Sequence, residues 1–122
     1  MLEIPVSPGE VVDRITILRI KSTRLDGPED RALAELRLLE LERRLQLPEH
    51  LKPHLQSLQR INEALWDAED QVRRLDAQGN FGEEFTSVAR SIYRLNDERH
   101  AIKKTLDLAL GSQSEEKSLP DY

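Results

Sequence analysis

The amino-acid sequence predicts an all-α protein, a four-helix antiparallel bundle in which helices 3 and 4 form a long hairpin. Helix-forming Leu, Glu, Arg and Ala dominate the composition, while aromatic residues make up only 4% of the chain. Apolar residues recur at helical spacing. Pro and Gly interrupt the pattern at a few places only. With 122 residues, the chain has the length of one domain, expected over residues 1–111 and followed by a polar tail over 112–122.

The segment Ser7-Pro8-Gly9-Glu10 predicts the start of helix 1, after a short extended arm over residues 2–6. Ser7 can cap the helix, Pro8 suits its first turn, and Glu10 completes a capping box. Helix 1 is expected over residues 8–25. Its apolar side chains point in nearly all directions, so this helix is either central to the bundle or partly covered by another subunit.

The remaining helices are bounded by Pro and Gly. Helix 2 is expected over residues 28–47, where Pro48 ends it, and helix 3 over residues 53–77. The breaker over residues 78–82 is a five-residue link, which implies an antiparallel hairpin with helix 4. Helix 4 is expected over residues 83–110, with Gly111 as its C-cap.

Charge and composition exclude several classes of protein. The net charge is −5 and no uninterrupted basic run occurs, so binding to DNA or RNA is not expected. No stretch approaches the roughly 20 apolar residues that span a bilayer, and the first residues do not form a signal peptide. The chain has no cysteine, hence neither a disulfide nor a thiolate metal site. We therefore expect a cytoplasmic protein without membrane contact.

Polar residues interrupt the apolar faces of helices 1, 3 and 4, and they are the candidate site. A charge on a packed face must be paired, because burying it alone costs several kcal/mol. Glu69 is therefore expected to meet Arg14, Lys21 or Arg99, and Asn62 should lie level with Arg99 along the hairpin. The full set is Arg14, Lys21, Asn62, Glu69, Arg73, Asn96, Arg99 and Lys103.

Two interpretations of this set stay open. One is a structural network of buried polar groups. The other is a pocket for a small anionic ligand, because guanidinium groups suit carboxylates and phosphates. The four cations that would line such a pocket are Arg14, Lys21, Arg73 and Arg99.

The sequence nominates no catalytic residue, no metal ligand and no cofactor. His50 and His54 straddle Pro53 without the acidic partner of a zinc motif. The C-terminal tail allows two outcomes. Its composition predicts disorder, but Leu119, Pro120 and Tyr122 could dock into a groove while Glu115 and Glu116 pair with basic side chains.

Several short segments together carry a family resemblance. They are Val6-Ser7-Pro8-Gly9-Glu10, Asp13 with Ile17-Leu18 and Lys21, Asn62 with Leu65-Trp66 and Glu69-Asp70, Ala89-Arg90 with Tyr93, Asn96-Asp97-Glu98-Arg99 with Ile102-Lys103, and Glu115-Glu116-Lys117-Ser118. In this order they resemble a bacterial family of short helical proteins classed as a domain of unknown function. Some relatives accompany, or are fused to, proteins of sugar transfer and cell-surface polysaccharide assembly. The resemblance implies that setting but no reaction.

The sequence is compatible with two functions. The first is a non-catalytic helical interaction or accessory protein, acting through a protein partner or as a homodimer. It follows from the apolar surface all around helix 1 and from the lack of a catalytic motif. The second is a small helical enzyme or binder of an anionic metabolite, which would use arginine and lysine side chains for electrostatic work.

Overall fold

Four α-helices form the bundle in the computed structural model, which describes residues 1–116. They are α1 (Pro8–Arg24), α2 (Pro28–Arg44), α3 (Lys52–Ala77) and α4 (Glu83–Ala109), with a 3₁₀ turn at Glu49–Leu51. No strand occurs in this part of the chain. The predicted all-α bundle with its α3–α4 hairpin is confirmed. Within residues 1–116, no helix is both long enough and apolar enough to cross a membrane.

α1 is the central helix. It packs against α2, α3 and α4, whereas α2 makes extensive contact with α1 alone. Apolar side chains on several sides of α1 are consequently buried, among them Val12, Ile15, Leu18 and Ile20. The central position, one of the two explanations that the sequence offers for the apolar surface of helix 1, is observed in the fold.

The end of helix 2 was predicted three residues too late. α2 ends at Arg44, and Leu45 already has an extended backbone. The reason lies in the core, where Val12, Leu51, Leu58 and Leu106 form a buried cluster against which Leu45 and Leu47 pack. In an extended segment, alternate side chains share one side, so unwinding the helix lets both leucines reach the core. Pro48 also disfavours helical backbone at Leu47, the residue before it.

Glycine ends both helices of the hairpin. Gly79 and Gly111 have φ angles of 66° and 72°, a left-handed conformation that costs glycine little. After each helix the backbone forms a Schellman motif, in which Asn80 N donates to Leu75 O at 2.9 Å and Ser112 N donates to Asp107 O at 2.8 Å. The C-cap role predicted for Gly111 is confirmed, and Gly79 has the same role after α3.

At the start of α1, the predicted cap forms only in part. Glu10 N donates to Ser7 Oγ at 3.3 Å, as expected for a capping serine. The Glu10 carboxylate does not complete the capping box, because it pairs with Lys103 on α4 at 2.8 Å. This difference shows how closely the first turn of α1 approaches α4.

Gly9 is the point of closest approach between α1 and α4. It is buried, and a Cβ atom at this position would lie 2.7 Å from Asp107 Oδ1 and closer still to the Lys103 carbonyl oxygen. A backbone carbonyl within a helix cannot move aside as a flexible side chain can. Glycine is therefore required here because a larger residue does not fit between the two helices, and not because of its backbone angles.

We predict that Gly9→Ala lowers the free energy of unfolding by about 1–3 kcal/mol, the usual cost of forcing extra volume into a packed contact. Urea unfolding followed by circular dichroism measures the change. Gly82→Ala is the matched control, because its nearest neighbour would be Asn80 Oδ1 at 3.6 Å, an ordinary contact. Equal stability of the two variants would contradict the packing argument.

Candidate functional site

A polar stripe on α4 faces the first two turns of α1. Arg99, Lys103 and Asp107 are spaced four residues apart, so they lie on one side of α4. Each meets α1 in turn: Arg99 binds Asp13, Lys103 binds Glu10, and Asp107 accepts a hydrogen bond from Gly9 N at 2.7 Å. The pairing runs in opposite directions along the two helices, which makes α1 and α4 antiparallel.

The Asp13 cluster, formed by Asp13, Thr16, Asn62 and Arg99, joins three helices. Arg99 donates from Nε to Oδ1 of Asp13 at 2.8 Å and from Nη2 to Oδ2 at 2.5 Å, a bidentate pair. Asn62 on α3 donates to the same Oδ1 at 2.9 Å and to Thr16 Oγ1 at 2.7 Å. The Asp13 side chain is only 2% exposed and that of Arg99 is 25% exposed. Both Asp13 oxygens are thus occupied.

The ionisation of Asp13 follows from these contacts. Burial by itself would raise the pKa of this carboxyl, because a charge is poorly solvated in the interior. The hydrogen bonds from Arg99 and Asn62, with the charges of Arg99 and Lys103, outweigh burial and hold the pKa of Asp13 below its usual value. The same hydrogen bond to Asp13 raises the pKa of Arg99. The pair is therefore ionised at neutral pH.

The Lys103 cluster, formed by Lys103, Glu10, His100 and Glu116, lies beside the first. Lys103 Nζ contacts Glu10 Oε2 and Glu116 Oε1, both at 2.8 Å, although the lysine side chain is only 6% exposed. The other carboxylate oxygen of Glu116 lies 2.6 Å from His100 Nδ1. A lysine this deeply buried needs such partners, because its charge would otherwise be uncompensated.

Opposing effects also set the pKa values in the Lys103 cluster. Burial lowers the pKa of Lys103, but the hydrogen bonds to Glu10 and Glu116 more than reverse this, and the net result is a raised pKa. Burial raises the pKa of Glu116, while the hydrogen bonds from Lys103 and His100 bring it below the usual value. Both groups are therefore held in their charged forms.

The structure brings together three of the eight candidate residues: Asn62, Arg99 and Lys103 belong to the two clusters. Asn62 and Arg99 bind the same carboxylate oxygen, so the prediction that they lie level along the hairpin is confirmed. Asn96 is half-buried and belongs to neither cluster. The remaining four candidate residues are exposed to solvent: Arg14, Lys21, Glu69 and Arg73.

The expected pairing of Glu69 with Arg14, Lys21 or Arg99 is wrong. Glu69, Arg14 and Lys21 are exposed, and Arg99 binds Asp13 instead. With 17 residues α1 is about 25 Å long, and with 26 residues α3 is about 39 Å long. α1 is therefore too short to cover the whole of α3, and a position on the apolar stripe of α3 does not by itself imply burial of Glu69.

Six residues of this region are absent from the predicted site: Glu10, Asp13, Thr16, His100, Asp107 and Glu116. Asp13 had a clear signal, because a carboxylate between Val12 and Ile15 in a helix without a polar face must be paired. Asp107 follows Lys103 by four residues on the same side of α4. Glu116 was named as a possible partner of basic side chains, and its carboxylate does bind Lys103. The tail residues Leu119, Pro120 and Tyr122 lie outside the described residues.

The two clusters connect α1, α3 and α4 through ion pairs and side-chain hydrogen bonds. No group of three or more potential metal ligands occurs among the residues that the structure describes. Two surface cavities, of about 490 and 290 Å³, are lined by residues outside both clusters.

The outer side of α2 offers a different kind of site. Leu33, Leu36 and Leu39 are 52%, 61% and 52% exposed, and on a helical wheel Ala32 lies between two of them. The opposite side of α2, with the buried Ala34, packs against α1. α2 therefore has apolar residues on two sides and covers only one. The four residues Ala32, Leu33, Leu36 and Leu39 are called the α2 leucine face below.

One comparison with known proteins gives a match. A family described as a family of unknown function, DUF6165, matches residues 2–116. No curated protein and no solved structure matches the chain. The matched range includes both clusters, the α2 leucine face and most of the arm that precedes α1.

We predict that Arg99→Ala lowers the free energy of unfolding by about 3 kcal/mol or more, because it leaves the Asp13 charge buried with too few partners. Chemical denaturation measures the loss, and a double-mutant cycle with Asp13→Asn isolates the pair. Arg73→Ala is the control, since Arg73 is 73% exposed and pairs with Asp70 at 3.7 Å on the surface. A similar small loss for both arginines would contradict the assignment.

Stability should also depend on pH in the acid range. The folded-state pKa values of Asp13 and Glu116 lie below their usual values of 3.8 and 4.5, so folding stabilises the ionised forms. Their contribution is complete above those usual values and is lost as pH falls through them towards the lower folded-state values.

We therefore expect a nearly constant free energy of unfolding down to about pH 5 and a decline below that. Urea unfolding at a series of pH values measures it. Asp13→Asn should be less stable at neutral pH and should show a shallower decline, whereas Asp67→Asn, a change at a 67% exposed side chain, should keep the wild-type slope. An unchanged slope in Asp13→Asn would contradict the role of this carboxylate.

Proposed function

The chain belongs to the DUF6165 family of unknown function, and we propose that it is a non-catalytic interaction protein that binds a protein partner through the α2 leucine face. The observation that carries the proposal is the exposure of Leu33, Leu36 and Leu39 on a helix that packs on its other side alone. Contiguous apolar surface on a monomer marks interaction sites.

The spacing of the leucines fits one mode of recognition. Leu33, Leu36 and Leu39 follow one another at intervals of three residues, so their side chains form a row along the helix. A helix that offers such a row of anchors binds an apolar groove on its partner. Glu40 and Arg43 lie at the edge of the row, where charged residues would form the polar rim of the interface.

The charged side chains between the helices also support the proposed interaction function. The chemically versatile side chains of the protein, Asp13, Arg99, Lys103 and Glu116, are engaged with one another and bury their charges against α1 and α4. Such an arrangement fixes the positions of the helices and keeps these four side chains paired with charged partners. On the surface of α2, the leucine face remains available for contact with a protein.

The alternative function, an enzyme or binder of an anionic metabolite, required four cations to converge. Arg14, Lys21 and Arg73 are exposed, and Arg99 already binds Asp13 through two hydrogen bonds. No observation on these residues favours an anion pocket. We therefore base the proposed function on the surface of α2 and not on the polar clusters.

A more specific proposal concerns the cellular process in which the protein acts. We propose a cytoplasmic accessory protein of cell-surface polysaccharide assembly, which is recruited to a sugar-transfer enzyme through α2. What supports this is the resemblance of residues 6–10, 96–103 and 115–118 to a family in which some members accompany such enzymes. Sugar-transfer enzymes among the captured partners would agree with this setting, and their absence from a reproducible partner set would count against it.

We predict that Leu36→Glu reduces partner recovery by about tenfold or more, because a buried leucine anchor contributes about 1.5–3 kcal/mol and a buried carboxylate adds a further cost. Tagged protein is crosslinked in the cells that naturally produce it, and quantitative mass spectrometry compares the variants. Thermal unfolding should be unchanged, since Leu36 is 61% exposed.

Leu108→Glu is the matched control, because Leu108 is also apolar and 62% exposed but lies on α4. Equal recovery of the same partners by the wild type, Leu36→Glu and Leu108→Glu would contradict the proposal. A partner lost from Leu108→Glu alone would move the interface from α2 to α4.

A further inference from the structure

The exposed row of side chains on α2 is symmetric about Leu36. Leu33 and Leu39 lie three residues before and after Leu36, and Glu29 and Arg43 lie seven residues before and after it. At about 100° and about 1.5 Å per residue, all four stay within about 60° of the direction of Leu36, and the two charges lie about 10 Å from it along the helix. The row therefore has an apolar centre, an anionic end and a cationic end.

The charges at the two ends of the row are available to another molecule. Glu29 and Arg43 are exposed, and within residues 1–116 neither forms an ion pair or a side-chain hydrogen bond. Glu29 lies in the first turn of α2 and Arg43 in the last turn. A contact that pairs these two groups would therefore add favourable interactions without breaking existing ones.

The other charges beside the row are paired or point elsewhere. Glu40 binds Arg37 at 3.4 Å within α2. Glu35 and Arg37 lie about 100° to either side of Leu36, so they flank a contact made by the row instead of entering it. The charge pattern of such a contact is therefore set by the two ends of the row.

An antiparallel pair of α2 helices that cross at Leu36 would match this row with itself. Each Leu33 would lie level with Leu39 of the other copy, and each Glu29 would lie level with Arg43. The helix dipoles would also run in opposite directions, which is favourable. A parallel pair would instead place Glu29 beside Glu29 and Arg43 beside Arg43, and repulsion between like charges disfavours that arrangement.

We infer that the α2 leucine face binds a second copy of this chain, which gives a two-fold dimer of antiparallel α2 helices. The inference rests on the proposed function and names the partner of the same face. A second copy is favoured over an unrelated protein because the row supplies its own complement: the anion of each copy meets the cation of the other at both ends. The approach is open, since Leu33, Leu36 and Leu39 are all more than half exposed.

A dimer of this kind covers the α2 leucine face of both copies. It removes the leucines from water, which lowers the free energy of the apolar surface. A different protein, such as the sugar-transfer enzyme proposed above, then reaches this face only when the dimer dissociates. The two complexes therefore exclude each other on one copy of the chain.

Sedimentation velocity over a concentration series measures the self-association. One helix from each copy gives a small interface, so the wild type should dimerise in a concentration-dependent manner. Leu36→Glu should raise the dimer dissociation constant by about tenfold or more, because both copies lose their central anchor. Leu108→Glu, at an equally apolar and exposed position on α4, should dimerise as the wild type does. At concentrations where the wild type is monomeric, all three proteins should unfold at the same temperature.

Charge reversal tests the orientation of the two helices. Glu29→Arg and Arg43→Glu should each weaken the dimer, because each change brings like charges together at both ends. An equimolar mixture of these two variants should recover most of the lost affinity, because opposite charges meet again at both ends of the mixed dimer. Glu98→Arg, the same reversal at an exposed position on α4, should have no effect. Single reversals that leave the affinity unchanged would overturn the inference.

The sequence has no cysteine, so introduced cysteines report the register directly. Leu33→Cys mixed with Leu39→Cys should give a disulfide-linked heterodimer under mild oxidation. Leu33→Cys alone should give little dimer, because the two copies of this residue would lie about 9 Å apart along the helices. Leu108→Cys is the control and should give none. Strong crosslinking of Leu33→Cys alone, without the heterodimer, would indicate parallel helices and overturn the inference.

Two combinations of results separate the dimer from the binding of a different protein. A wild type that stays monomeric up to about 1 mM, or a dimer that Leu36→Glu leaves intact, would overturn the inference. Loss of captured partners from Leu36→Glu would then still support the α2 leucine face as a site for a different protein. A dimer that depends on Leu36, with recovery of all other proteins insensitive to Leu36→Glu, would keep the dimer and overturn the binding of a different protein.

Discussion

The carboxylate of Asp13 is the constraint around which this bundle is organised. It lies in the second turn of the most apolar helix, and it is ionised there because Arg99 from α4 and Asn62 from α3 donate to it. Apolar contacts alone would allow α1 to slide or rotate between its neighbours. A bidentate guanidinium and a side-chain amide fix both its height and its rotation, because each donor has a defined direction. On α4, Lys103 and Asp107 then complete the contact with α1 one and two turns after Arg99.

Beside its apolar core, the bundle buries several charged groups and leaves several apolar side chains exposed. The charges of the Asp13 and Lys103 clusters are held in ion pairs, whereas α2 and the arm expose leucine, isoleucine and valine to solvent. Exposed apolar side chains are unfavourable for an isolated chain, because the free energy falls when apolar surface is removed from water. Their exposure becomes reasonable when the protein works in contact with other chains, and it is the physical basis of the proposed interaction function.

The sequence allowed most of the fold to be predicted, because Pro and Gly mark the helix ends and the spacing of apolar residues marks the buried sides. The predicted helix 2 is wrong at residues 45–47, where packing on Leu51 and Leu58 outweighs helix propensity. The site was predicted only in part. Asn62, Arg99 and Lys103 were identified from their positions on packed faces, but a helical wheel does not say how far a neighbouring helix extends. The prediction for Glu69 is wrong for that reason, and the predicted set does not contain Asp13, although a carboxylate on an apolar helix has to be paired.

The contact between Gly9 and Asp107 has a consequence for how the domain can be connected to other proteins. These residues are 98 positions apart in the chain, yet the backbone of one binds the side chain of the other. α1 thus begins and α4 ends at the same end of the bundle, while the turn between α3 and α4 lies at the opposite one. A neighbouring domain attached before α1 would be tethered at the first of these ends, away from the turn between α3 and α4.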